Sequence, residues 1–93
     1  MIADPDGVIG IAGVMGGANS EVTESTGSVI LEAAHFDPKC VRRTRVRHGL
    51  NTEASVRFER GADIEMALVA IERTASLIQE VAGGEIRKGV LDV

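Results

Sequence analysis

Ile2-Ala3-Asp4-Pro5-Asp6-Gly7-Val8-Ile9-Gly10-Ile11-Ala12-Gly13-Val14-Met15-Gly16-Gly17 sets a turn signal, Pro5-Asp6-Gly7, between two short apolar runs. Pro presets φ for a turn, Asp bonds its own neighbouring backbone, and Gly accepts φ values that other residues avoid, so the stretch predicts a β-hairpin. Five glycines from Gly7 to Gly17 either supply positive φ or let another backbone or a ligand approach closely. A further strand is expected over Val29-Ile30-Leu31-Glu32-Ala33-Ala34, an apolar run whose single acid, Glu32, is its anomaly.

Downstream the texture turns helical. Asp37-Pro38 is a helix-start signature and Gly49 a stop, predicting a short basic helix over Lys39 to His48 with Lys39, Arg43 and Arg47 aligned at four-residue spacing. Asp63 is expected to cap a longer helix whose apolar positions Ile64, Leu68, Ile71, Ala75, Ile78 and Ala82 follow the spacing of one buried face, ending at Gly83-Gly84. Glu85 to Val93 is expected to return as a strand. The order β-β-β-α-α-β predicts an α+β fold, a mixed β-sheet with helices packed on one side. Residues 1–93 show no repeat or linker and read as a single domain, or as part of one.

Composition narrows the function classes. The 93 residues include two Phe, no Trp and no Tyr against 44% hydrophobic residues, so the core must be aliphatic. A chain of this length is expected to remove about 60–65% of its unfolded surface from water. The net charge of −4 hides an asymmetry: Met1 to Ala34 carries five acids and no Lys or Arg, whereas His35 to Leu50 carries five bases and one acid. An anion-binding surface is therefore local. One cysteine, Cys40, forms no internal disulfide and is expected to be a small buried or half-buried residue in a reducing compartment. No apolar run has the roughly 18 residues of a membrane span, and no basic start marks a signal peptide, so a soluble cytoplasmic chain is expected.

Several chemistries lack their patterns. Gly10, Gly13 and Gly16 do not match the dinucleotide fingerprint, and no Lys-Ser or Lys-Thr follows them to make a phosphate loop. His35 and His48 have no ligand-spaced acid or thiol, so no metal site is expected, and nothing marks a nucleophile elbow. What stands out instead is Thr52-Glu53-Ala54-Ser55-Val56-Arg57-Phe58-Glu59-Arg60-Gly61, an order of small, hydroxyl and alternating charged residues that no packing rule demands.

Taken together, Gly13-Val14-Met15-Gly16-Gly17, Leu31-Glu32-Ala33-Ala34 with Phe36, and the Thr52 to Gly61 run closely resemble the bacterial phenylalanyl-tRNA synthetase β-subunit family, in the C-terminal part of its tRNA-editing domain. The resemblance covers nearly the whole chain, in order and spacing. It implies a hydrolytic site for mischarged tyrosyl-tRNA(Phe), because an apolar synthetic pocket discriminates only about a hundredfold against an isostere that adds a hydroxyl. By resemblance, Glu32 accepts the tyrosine O–H, Gly13 and Gly16 place main-chain groups beside it, and Thr52 and Ala54 line the pocket. The reaction implied is hydrolysis of the aminoacyl ester by a positioned water, with no metal and no cofactor in this stretch. ATP and Mg would act at other domains of the parent ligase.

The implied partners are the 3′ end of tRNA(Phe) and a synthetase α subunit in an α2β2 assembly. The family's domain also draws on an upstream histidine-bearing segment absent from this sequence, so the stretch alone is expected to be inactive. The competing reading is a non-catalytic structural or RNA-binding module. On that reading Lys39, Arg43 and Arg47 either contact phosphates or form a solvated face, Thr52 and Ser55 cap a short helical turn across Val56 to Arg60, and Arg57, Glu59 and Arg60 form an ion network. Exposed apolar sheet edges predict self-association.

Overall fold

The computed structural model describes Met1–Val93 throughout. Three strands, β1 (Ile2–Asp4), β2 (Gly7–Ile11) and β3 (Met15–Gly16), precede three helices, α1 (Pro38–His48), α2 (Glu53–Phe58) and α3 (Met66–Ala82). The α+β class holds, and the strands form one antiparallel sheet in the order β1-β2-β3. At the first turn the Asp4 carboxylate accepts the N–H groups of Asp6 and Gly7, both at 2.9 Å. That bond is local and explains why the Pro5-Asp6-Gly7 signal works. The run continues past the hairpin into a second turn, closed by Val14 N–H donating to the Ile11 carbonyl at 2.9 Å. Gly13 sits there at φ +67°, a left-handed value costly for a residue with a Cβ. A 3-10 turn over Ala18–Ser20 follows, pinned to β2 because the Ser20 hydroxyl donates to the Ile9 carbonyl at 2.9 Å.

α1 begins and ends where its sequence signals stand. The Asp37 carboxylate accepts from Lys39 N–H, Pro38 occupies the first turn, and Gly49 closes the helix at φ 66°, ψ 22°. Leu50 N–H donates back to the Arg45 carbonyl at 2.9 Å, satisfying a carbonyl that the helix end leaves free. α2 starts three residues earlier than the expected Val56, because Thr52 is its cap. The Thr52 hydroxyl accepts from Ser55 N–H while the Ser55 hydroxyl faces the Thr52 N–H, a reciprocal capping box. α3 starts at Met66 with Glu65 as its cap. Asp63 acts one turn earlier, its carboxylate accepting Glu65 N–H at 3.0 Å.

The core is small. Four residues are buried: Gly10, Val14, Val41 and Ser55. Phe36 and Phe58 lie beside them half-buried, ring centroids 5.1 Å apart and tilted by 58°, a favourable edge-on geometry. This knot joins the β2–β3 turn, α1 and α2. α3 buries no residue; Ala67, Ile71 and Ala75 are half-covered, whereas Ile64, Leu68 and Val81 are 63%, 54% and 84% exposed.

The accessible surface of 7922 Å² compares with about 5,200 Å² for a compact monomer of 9.8 kDa. Against about 14,200 Å² for the extended chain, folding removes a little under half of the surface, short of the 60–65% expected from length.

Three expectations differ from the structure. Val29–Ala34 and Glu85–Val93 carry no strand, because a strand is defined by a partner and neither segment meets one. Gly89 moreover sits at φ +119°. Cys40 is exposed, on the solvent side of α1 next to the inward Val41, with Arg43 Nη2 donating to its Sγ at 3.4 Å. No helix is long and apolar enough to cross a membrane.

Candidate binding groove

An open groove of about 620 Å³ runs along the β2–β3 turn, its walls including Gly13, Gly16, Glu32, Phe36, Ala54 and Phe58. Residues from three separated parts of the chain thus meet at one surface, and the volume lies within the range of small-molecule sites. Most of the lining is hydrophobic. Glu32 projects into that setting without a hydrogen bond or ion pair of its own and is exposed at the rim, which leaves both carboxylate oxygens available as acceptors.

The two glycines serve different ends. A Cβ on Gly13 would stand 2.8 Å from Phe36 Cδ2 and 3.0 Å from Val41 Cγ2, so this glycine is dictated by the aromatic knot behind the groove. A Cβ on Gly16 would meet nothing within 4 Å and would point into free space. Gly16, unlike Gly13, is therefore spare room in the groove.

Thr52 is not among the lining residues. Its hydroxyl accepts Ser55 N–H at 3.0 Å and donates to the Val14 carbonyl, thirty-eight positions away in sequence. Both functions of the hydroxyl are thereby used. Thr52 pins the glycine turn to the start of α2, and Ala54 in the next helical positions forms the wall. Ser55, fully buried, completes the clasp by donating its hydroxyl to the Thr52 carbonyl at 2.9 Å.

Behind α2, Arg45 of α1 forms a two-pronged ion pair with Glu59, through Nε to Oε2 and through Nη2 to Oε1 at 3.1 Å. The side chains are 25% and 17% exposed, so the bond is shielded enough to brace the two helices. The guanidinium hydrogen bond holds the Glu59 carboxyl below its ordinary value and raises Arg45 above its own. The ion network expected among Arg57, Glu59 and Arg60 is thus built from a different partner: Arg57 pairs with Glu53 at 3.6 Å on the open surface. Lys39, Arg43 and Arg47 are exposed on α1 and line no part of the groove. Arg45, by contrast, stands four residues after the buried Val41, a spacing that places it on the inward face and could have been read from the sequence.

The fold and the groove define a small α+β domain in which an antiparallel hairpin and two short helices carry an open, mainly apolar recess with one free acid. The chain belongs to the B3/4 domain family, whose model matches residues 1–83. It is similar to phenylalanine-tRNA ligase beta subunits: 49% identical over 92 residues to that of Geobacter metallireducens, 52% over 93 residues to that of Dehalococcoides mccartyi and 52% over 92 residues to that of Syntrophotalea carbinolica. Each match takes in 99–100% of this chain and 11–12% of the relative. The chain therefore spans about an eighth of the length of these curated relatives.

Proposed function

We propose that this chain is the pocket-bearing part of the post-transfer editing site of a phenylalanine-tRNA ligase beta subunit, acting on tyrosyl-tRNA(Phe). The observation that carries the reading is the meeting of Glu32, Gly16 and Ala54 on one apolar groove, a set that offers a ring-sized recess and a single acceptor for a phenol. Tyrosine gives Glu32 a donor. Phenylalanine leaves it desolvated and unpaired, at a cost of about 1–3 kcal/mol or more for a charged group. The site thereby prefers the amino acid that an apolar synthetic pocket fails to reject.

In this proposal water adds to the ester carbonyl of the misacylated 3′-terminal adenosine. The tetrahedral intermediate collapses with departure of the ribose oxygen, which takes up a proton, giving free tyrosine and deacylated tRNA. An aminoacyl ester is already activated, so holding the carbonyl beside main-chain donors and a water supplies much of the acceleration. The α-subunit partner, the α2β2 assembly, and ATP and magnesium at other domains belong to the parent ligase under the same reading.

The test is deacylation of tyrosyl-tRNA(Phe) by the intact parent enzyme. Glu32→Ala is expected to lower the preference for tyrosyl over phenylalanyl ester about 10- to 100-fold, the range equivalent to one lost charged hydrogen bond. Ala54→Trp is expected to abolish the reaction by filling the recess. Undiminished tyrosine release in both variants would sink the assignment. The second reading, a non-catalytic RNA-binding module, is favoured by the exposed line of Lys39, Arg43 and Arg47 on α1. It expects the triple Ala variant to weaken tRNA binding with a reduced salt dependence while Glu32→Ala changes nothing.

A further inference from the structure

The ring of His35 reaches the linker between α2 and α3, its Nδ1 2.8 Å from the Ala62 carbonyl. A carbonyl only accepts, so Nδ1 carries the proton and donates it. Ala62 is half-buried and its carbonyl takes no main-chain N–H, so the imidazole supplies the partner that a covered acceptor requires. The linker at this point continues directly from α2: Gly61 N–H donates to the Phe58 carbonyl at 3.1 Å, and a φ of +92° at Gly61 turns the chain. One residue after His35, the Phe36 ring meets Phe58 with centroids 5.1 Å apart. Two consecutive side chains therefore grip the C-terminal end of α2, one by a hydrogen bond and the other by a ring contact.

We propose that His35 is a positioning residue for tyrosine discrimination, setting how far the Glu32 carboxylate stands from the groove wall that Ala54 and Phe58 form; the proposal rests on the editing reading above. Glu32 and Phe36 line the groove from one segment, Ala54 and Phe58 from α2. The Glu32 carboxylate is exposed and, having no bond of its own, takes its place from the backbone that carries it. Three residues span at most about 11 Å, so a point fixed at His35 limits where Glu32 can stand. The ring contact alone does not fix that point, because apolar attraction is non-directional and lets Phe36 slide along α2. A hydrogen bond weakens steeply off its line, so the bond from His35 to Ala62 sets the register of the segment against the helix. His35 is not among the groove's lining residues, and it acts through Glu32.

The test is deacylation of tyrosyl- and phenylalanyl-tRNA(Phe) by the intact parent enzyme, with kcat/KM measured for each ester. The ratio of the two values on one preparation is insensitive to the fraction of enzyme that is folded. His35→Ala is expected to lower the preference for the tyrosyl ester about three- to tenfold, the worth of one neutral hydrogen bond. His35→Asn should stay within about twofold of the parent, because its amide nitrogen is attached to Cγ as Nδ1 is, whereas His35→Gln, whose donor stands one bond further out, should behave as the Ala variant does. Should the Ala variant not fold, the Asn and Gln pair carries the same test. In a Glu32→Ala background the acceptor is gone, and His35→Ala should change the preference no further. Loss of preference with Glu32→Ala but none with His35→Ala overturns the proposal and leaves the editing reading standing. So does an equal loss from Asn and Gln, or a loss that adds in full to that of Glu32→Ala, since His35 would then act on the fold at large. If Glu32→Ala itself leaves the preference unchanged, the editing reading falls and the proposal with it.

Discussion

Thr52→Val replaces a hydroxyl by a methyl of nearly the same shape, and the structure indicates what that hydroxyl is worth. It caps α2 by accepting Ser55 N–H at 3.0 Å, a contribution of about 1 kcal/mol for a Thr cap. It also donates to the carbonyl of Val14, a residue 1% exposed, and an acceptor stranded there costs a further 1–3 kcal/mol or so. Together the loss should be about 2–4 kcal/mol. The urea sensitivity of so small a buried surface is near the low end of the usual range, about 1–1.5 kcal/mol/M, so the unfolding midpoint should fall by roughly 2 M. Thr52→Ser keeps the hydroxyl and should stay within about 0.5 M of the parent chain. Urea titration followed by far-UV circular dichroism measures both. A Thr52→Val midpoint indistinguishable from that of Thr52→Ser would refute the reasoning, because it would mean that the glycine turn and α2 are held together without the clasp.

The two glycines of the groove should separate cleanly. Gly13→Ala meets both a positive φ and the Phe36 ring at 2.8 Å and should cost about 2–4 kcal/mol, whereas Gly16→Ala, with nothing within 4 Å, should stay within about 0.5 kcal/mol; equal thermal shifts would contradict the placement. The Arg45–Glu59 pair predicts a pH dependence of known sign. The Glu59 carboxyl is held below its ordinary value of 4.5 by the Arg45 hydrogen bond, so its stabilising effect is fully present above that value and is lost as pH falls through the lowered folded value. Urea midpoints at pH 7, 4 and 3 should fall more steeply for the parent chain than for Glu59→Gln, and parallel trends would show that the pair does not report on folding.

What could be read in advance was what the chain determines locally. Asp37-Pro38 and Gly49 bracket α1 because a cap, a preset φ and a left-handed glycine each act within a few residues. The Pro5-Asp6-Gly7 turn is local in the same sense, although the side chain that closes it is Asp4. Thr52 was legible both as a wall of a site and as a cap, and the Val14 carbonyl it binds lies far off in sequence, beyond any spacing rule. The Arg45–Glu59 pair was missed for the same reason. The α3 pattern carried the opposite error. Its apolar spacing was real, but periodicity states which face is suited to burial and not whether anything covers it.

The Val29–Ala34 segment shows what such a partial match means physically. Its composition is that of a strand, and its backbone is free of every competing hydrogen bond, so propensity names a strand where the fold, offering the segment no partner, forms none. The same holds for the groove beside it. Glu32 stands on this unpaired segment, and its height above the glycine turn is set by a backbone that no ladder anchors.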